Sequence, residues 1–355
     1  MLNLFDEFTL RGVTLRNRIG VSPMCEYSAE EGMPNNWHLV HLGARAVGGA
    51  GLIITEAAAV EARGRITAGD AGIWSDAHIE PWAKITQFLK QHGAAAGIQL
   101  AHAGRKASTA KPWDNGTGIA DADGGWEPVA PSALAFADGY RLPHALTTRE
   151  IAEIVTQFAD AAKRSDAAGF DWLELHAAHG YLMHEFLSPL SNQRTDDYGG
   201  SFENRIRFVL ETTRAVREVW PEAKPLTMRL SCTDWTEGGW TSGDSVALAQ
   251  RLKAEGVDLI DCSTGGNVPN AKIPVGAGYQ VPFSEAIRHG AGIATAAVGM
   301  ITSPMQADEI VRNGRADIVL LARESLRDPN WPIKAATELH QKDKAPIPMQ
   351  YARAF

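Results

Sequence analysis

Gly169-Phe170-Asp171-Trp172-Leu173-Glu174-Leu175-His176-Ala177-Ala178-His179-Gly180-Tyr181 carries one full step of this chain's repeating plan. Gly169 closes the amphipathic stretch 148–168, as a glycine just past the last helical residue commonly does. The short apolar run 171–176 then reads as a buried strand. It delivers His176, His179 and Tyr181, two imidazoles and a phenol, to the place where the strand ends.

The same step recurs on both sides. Strands are predicted at 19–24, 51–56, 97–101, 171–176, 226–231, 258–263, 293–299 and 317–322, with amphipathic stretches at 79–92, 148–168, 203–220, 243–255 and 303–314. Gly256 and Gly314 repeat the helix stop of Gly169. This alternation predicts an α/β protein of the closed parallel (β/α)8 type, a TIM barrel. A doubly wound open sheet is the rival, but it wants a glycine-rich turn after its first strand, where this chain has Ser22-Pro23-Met24-Cys25. Residues 107–147 break the rhythm, being rich in Gly, Pro, Asp and Trp without sustained periodicity. Segments of this length inside a domain are usually functional, so a lid over the barrel mouth with a small hairpin is expected, an ordinary surface insertion being the alternative. Residues 1–355 then form a single domain, with a tail at about 340–355.

Composition narrows the partners. The chain is 45% hydrophobic and 21% charged, with a net charge of -8 and no basic run, which argues against nucleic acid. No apolar stretch reaches membrane-spanning length, and the first residues lack the features of a signal peptide. Cys25, Cys232 and Cys262 are odd in number and far apart, as expected of reduced thiols in a cytoplasm.

Active sites of such barrels lie at the C-terminal ends of the strands. There the sequence places Pro23, Met24, Cys25 and Tyr27, then Glu56 and Ala57, then Gln99, His102, Arg105 and Lys106. Further on come His176, His179, Tyr181, Arg229, Gly299-Met300 and Ala322-Arg323. Imidazole N–H groups can polarise a carbonyl and a phenol can protonate carbon, the equipment for reducing an activated C=C bond once a hydride is supplied. His176, His179 and His184 could instead ligate a metal, but no nearby carboxylate or thiolate completes a zinc pattern, so none is expected. Gly299 admits close backbone approach to an anion and Arg323 offers a fork of donors, where barrels commonly bind phosphate. A phosphorylated substrate or a cofactor such as FMN fits that reading. Cys25 is either an inert small residue or a tuning or reactive thiol.

Longer motifs carry a family resemblance. They are Leu15-Arg16-Asn17-Arg18-Ile19, Ser22-Pro23-Met24-Cys25, Gly64-Arg65-Ile66-Thr67, Gly72-Ile73-Trp74-Ser75-Asp76, Gln99-Leu100-Ala101-His102-Ala103-Gly104-Arg105-Lys106, His176 through Leu182, and Arg194-Thr195-Asp196-Asp197-Tyr198-Gly199-Gly200-Ser201. Over essentially its whole length the chain resembles the old yellow enzymes, FMN-dependent ene-reductases, in the bacterial thermophilic-like branch that includes xenobiotic reductases. The resemblance implies a tightly but non-covalently held FMN, with NADPH or NADH as reductant and α,β-unsaturated compounds as substrates. It implies that Ser22, Pro23, Met24, Cys25, Ala57, Gln99 and Arg229 hold the flavin ring, and that Gly299, Met300, Ala322 and Arg323 hold the ribityl-phosphate end. Cys25 would tune the flavin potential, Tyr27 and Lys106 would line the substrate pocket, His176 and His179 would bind the acceptor carbonyl, and Tyr181 would donate the proton. Gln350-Tyr351-Ala352-Arg353 resembles a tail whose arginine enters the neighbouring subunit's site, which implies a homodimer or homotetramer. Ala322 departs from the family's usual glycine and puts a methyl near the phosphate.

Other classes stay open beside it. A related flavin barrel for a dienoyl thioester or an N-methylated amine would carry an iron–sulfur cysteine cluster and further domains, which this chain lacks. A non-flavin phosphate-binding aldolase or isomerase would rest on Lys106 or Glu56. A non-catalytic binding module leaves the polar rim without a purpose.

Overall fold

A computed structural model describes residues 2–354, and in it eight parallel strands close into a barrel. They are β1 Ile19–Val21, β2 Leu52–Ala59, β3 Ala95–Ala101, β4 Trp172–Ala177, β5 Leu226–Ser231, β6 Leu259–Ser263, β7 Ala294–Ala297 and β8 Ile318–Leu321. The ring closes where β8 meets β1, in the register Val319↔Ile19, Leu320↔Gly20 and Leu321↔Val21. The outer layer comprises α1 Asn36–Val47, α2 Ile79–Gln91, α3 Thr148–Ala167, α4 Arg207–Val219, α5 Ser242–Ala254, α6 Val281–Ala291, α7 Pro304–Arg312 and α8 Trp331–Glu338. Gly169, Gly256 and Gly314 sit at the predicted helix stops with positive φ.

Alternation along each strand sorts its side chains between two cores. Leu52, Ile54, Trp172, Leu259, Ile318 and Leu320 meet inside the barrel, while Ile53, Leu173, Leu175, Met228, Leu230, Ile260 and Cys262 pack outward under the helices. The inward set therefore continues up β4 as Glu174 and His176, up β5 as Thr227, Arg229 and Ser231, and up β6 as Asp261 and Ser263. Leu15, from the hairpin Phe8–Leu10/Val13–Leu15, joins the apolar filling inside the barrel. An apolar interior thus gives way to a polar layer as the strands rise towards their C-terminal ends.

Strand lengths differ from expectation for local reasons. β1 stops at Val21, although Ser22 N still donates to Leu321 O at 2.9 Å, because Pro23 has no N–H to extend the ladder. β7 stops at Ala297, since Gly299 (φ 119°) and Met300 (φ 51°) leave the strand conformation. The stretch 203–220 divides into Phe202–Arg205 and α4.

The segment 107–147 differs from the expected hairpin. Its two short strands, Val129–Ala130 and His144–Ala145, pair in parallel, which a tight hairpin cannot do. Short helical turns at Pro112–Asp114 and Asp121–Asp123 fill the rest. Trp126 Nε1 donates to Arg63 O at 2.8 Å, and the Arg65 guanidinium lies 5.2 Å from both the Trp74 and Trp126 rings. The insertion is thereby pinned to the loop that follows β2.

Candidate active site

His176 ends the inward face of β4, and the turn after it brings His179 and Tyr181 back against it. The His176 and His179 rings lie 5.1 Å apart and the His176 and Tyr181 rings 5.0 Å apart, each pair edge-on. Ala178 N donates to His176 Nδ1 at 3.3 Å, so the His176 proton sits on Nε2. His179 adopts φ 60°, its N–H donates to Ser231 Oγ at 2.9 Å, and its Nε2 lies 2.7 Å from Ser263 Oγ. Burial, then the Arg229 charge, holds both imidazoles well below their ordinary pKa, so both are neutral. Burial raises the Tyr181 phenol well above its usual value, and it is protonated across the physiological range.

The turn is braced from behind. Gly180 N donates to His184 Nδ1 at 2.9 Å, and His184 Nε2 lies 2.9 Å from Asp234 Oδ1, both side chains fully buried. His184 is thus a brace rather than a partner of His176 and His179 in a metal site. Gly266 (φ 87°) lies so close that a Cβ there would stand 2.7 Å from His179 Cα.

Below this turn, Gln99 Nε2 donates to Glu174 Oε1 at 2.8 Å, and Arg229 Nε lies 3.0 Å from Asp261 Oδ2. Burial raises both carboxyls, and the Arg229 charge opposes it. Lys106 Nζ donates to His179 O at 2.7 Å and to Gly266 O, and sits 4.1 Å from the Phe136 ring and 5.5 Å from Tyr181. Burial lowers its ammonium to about 7. Glu56 lies 3.0 Å from His38 Nε2 and accepts from Glu26 N at 3.1 Å. The two side chains that an aldolase reading needed are both engaged by the surrounding protein.

Cys25 and Tyr27 are partly exposed, and burial with the Asp70 and Glu56 charges pushes the Cys25 thiol well above its ordinary value. It is therefore a protonated thiol. Ala57 and Tyr181 share a small apolar pocket with Ala59, Gly64, Ile66 and Asp70. Across the mouth, Arg229, Ser263, Gly299, Met300, Ala322 and Arg323 line one cavity of about 470 Å³. The backbone of Ala322 (φ -102°, ψ -103°) opens the short helix Arg323–Arg327. Arg353 lies on the exposed terminal turn Met349–Ala354 and makes no hydrogen bond or ion pair among the described residues.

The structure thus gathers most of the expected residues at one barrel end and leaves Arg353 apart. The sequence does not single out Ser263, Gln280, Asp261 or Phe136 as members of this site. Ser263 ends a predicted strand, and that position was a usable signal. Gln280 and Phe136 come from irregular segments and gave none.

The family model for NADH:flavin oxidoreductase / NADH oxidase matches residues 3–342. The chain is 52% identical to an NADPH dehydrogenase of Geobacillus sp. (strain WCH70), covering 99% of this chain and 98% of that one. It is 48% identical to the NADPH dehydrogenase of Bacillus subtilis (strain 168), over 99% of both. Among solved structures, morphinone reductase in complex with tetrahydroNAD is similar with a TM-score of 0.78 and 29% identity, over 96% of this chain and 92% of that one. Matches of this extent, on a closed barrel with a polar mouth, make the chain a member of the NADH:flavin oxidoreductase / NADH oxidase family, the old yellow enzymes, and an oxidoreductase that uses FMN and a reduced nicotinamide.

Proposed function

We propose that the protein reduces the activated C=C bond of enones and related electrophiles, using NADPH or NADH as the electron source. The observation that carries this is the edge-on meeting of His176, His179 and Tyr181 at the end of one strand, with both imidazoles neutral and the phenol protonated.

The residues present fit FMN. Ser22 Oγ is buried without a hydrogen-bond partner among the described residues. A Cβ at Gly299 would stand 2.8 Å from Gln280 Nε2, so only glycine fits against that side chain in the wall of the cavity that Arg323 also lines. Ser22, Pro23, Met24, Cys25, Ala57, Gln99 and Arg229 would hold the ring system, and Gly299, Met300, Ala322 and Arg323 the phosphate end. When bound, FMN would supply the hydride for the substrate's β-carbon.

The protein's part is to bind, polarise and protonate. His176 Nε2–H and an N–H of His179 donate to the substrate carbonyl, where negative charge grows. Losing one preorganised donor of this kind costs about 3–4 kcal/mol. Tyr181 delivers its proton to the α-carbon, and its raised pKa keeps it loaded. Tyr27 and Lys106 line the space above, and the 107–147 segment closes over it through Phe136. The neutral Cys25 thiol acts as a hydrogen-bonding group that tunes the flavin rather than as a nucleophile.

Arg353 is exposed and free of intramolecular partners among the described residues, which suits a tail that completes the site of a second subunit. We therefore propose a homodimer or homotetramer, in which Arg353→Ala weakens substrate binding. A fully active monomer overturns this. No helix among the described residues is long and apolar enough to cross a membrane, and three free cysteines suit a cytoplasmic location.

The test is a visible spectrum of the purified protein, followed by anaerobic NADPH and then 2-cyclohexenone. A flavin band that bleaches and then recovers supports the proposal. Bleaching without recovery rejects enones as the acceptor.

A further inference from the structure

A neutral imidazole has one N–H and one lone pair, so its tautomer decides whether it can donate to a substrate oxygen. For His176 the backbone settles the matter, because Ala178 N donates to Nδ1 and leaves the proton on Nε2. No backbone N–H among the described residues reaches the His179 ring. Its hydrogen-bond neighbour among the described residues is Ser263 Oγ, 2.7 Å from Nε2, which leaves Nδ1 as the nitrogen free to meet a ligand.

Ser263 is the last inward residue of β6, buried, and paired in register with Ser231 of β5. Ser231 Oγ accepts from His179 N and donates to Gly265 O at 2.7 Å, so two neighbouring serines grip the backbone and the ring of the same histidine. The Ser263 hydroxyl has one proton and two possible acceptors, His179 Nε2 at 2.7 Å and Gln280 Oε1 at 3.4 Å. Gln280 is already committed. Its Nε2 donates to Val298 O at 3.0 Å, which orients the amide, and its Oε1 accepts from Thr264 Oγ1 at 2.7 Å. Gln280 Oε1 already holds the Thr264 proton and lies 3.4 Å away, so the Ser263 proton is assigned to the shorter contact, with His179 Nε2 as its acceptor.

We propose that Ser263 is a positioning residue that donates to His179 Nε2, fixes the Nδ1–H tautomer, and so gives the pocket its second carbonyl-directed donor. With the opposite tautomer His179 would aim a lone pair at the carbonyl oxygen and repel it. The inference rests on the role proposed above for the histidine pair, but its test reads the proton's location and not turnover.

The experiment is a long-range proton–nitrogen NMR correlation on protein saturated with FMN and carrying nitrogen-15-labelled histidine. Wild type is expected to show His176 as Nε2–H and His179 as Nδ1–H. Ser263→Ala is expected to move His179 towards the Nε2–H form and to raise the dissociation constant for phenol about tenfold. Ser263→Thr retains the hydroxyl and is expected to restore the wild-type tautomer. A wild-type His179 protonated on Nε2, or a Ser263→Ala protein with an unchanged tautomer, overturns the assignment. An Nδ1–H wild type that shifts in Ser263→Ala but fails to turn over enones upholds Ser263 and rejects the proposed reaction instead.

Discussion

Arg229 Nε lies 3.0 Å from Asp261 Oδ2, with 7% and 0% of the two side chains exposed, on adjacent strands that place both inside the barrel. The pair holds the Arg229 cation at the wall of the cavity that Ser263 and Arg323 also line. Removing one partner of a buried pair leaves the other charge uncompensated, at a cost of about 3–5 kcal/mol. Asp261→Asn is therefore expected to lose that much stability in urea unfolding at mildly alkaline pH. Arg229→Met combined with Asp261→Asn is expected to lose less than the sum of the single changes. Additive losses would show that the two side chains do not compensate each other.

Tyr181→Phe removes the phenolic proton while keeping the ring that packs on His176. Reoxidation by 2-cyclohexenone is expected to slow about 10²–10⁴-fold, with reduction by NADPH nearly unchanged. Stopped-flow absorbance separates the two half-reactions, and equal slowing of both would remove Tyr181 from the proton-donor role.

Gly266→Ala tests the packing that sets His179 in place. The new Cβ would meet His179 Cα at 2.7 Å and its carbonyl oxygen at 2.8 Å, in a backbone conformation unfavourable to alanine. Phenol binding, followed by absorbance titration, is expected to weaken about tenfold or more, together with a loss of about 1–3 kcal/mol of stability. Wild-type affinity would mean that the turn tolerates displacement of His179.

Asp234 carries the pH dependence of the brace behind the site. Burial alone would raise its pKa, but His184, Ser188 Oγ and Trp240 N outweigh that and bring it down to about 2. The unfolded value is about 3.9, so the unfolded chain binds the proton more readily. The carboxylate's contribution of about 2–3 kcal/mol is present above pH ~4 and fades as pH falls towards ~2. Asp234→Asn is expected to be less stable at neutral pH and to flatten that acid limb in thermal melts. An acid limb of wild-type steepness in the variant would place the effect on other carboxylates.

Much of the architecture was legible along the chain. Apolar runs such as 226–231 and the stops at Gly169, Gly256 and Gly314 are local signals, and the strand and helices form where they point. The motifs around His176, Lys106 and Ser22 likewise lie at one end of the barrel, because barrel strands deliver their last residues to a common rim. Other features were decided only by the closed barrel. The sequence gives no reason for Arg229 to meet Asp261, or for Ser263 to meet His179 from a strand 84 positions away. The parallel pairing of Val129–Ala130 with His144–Ala145 depends on how the insertion docks, through Trp126 and Arg65, onto the loop after β2. Sequence fixes which side chains point inward on each strand, since alternation is a property of one strand. Which inward groups share a proton or a charge depends on the register between strands, and only the closure of all eight sets that register.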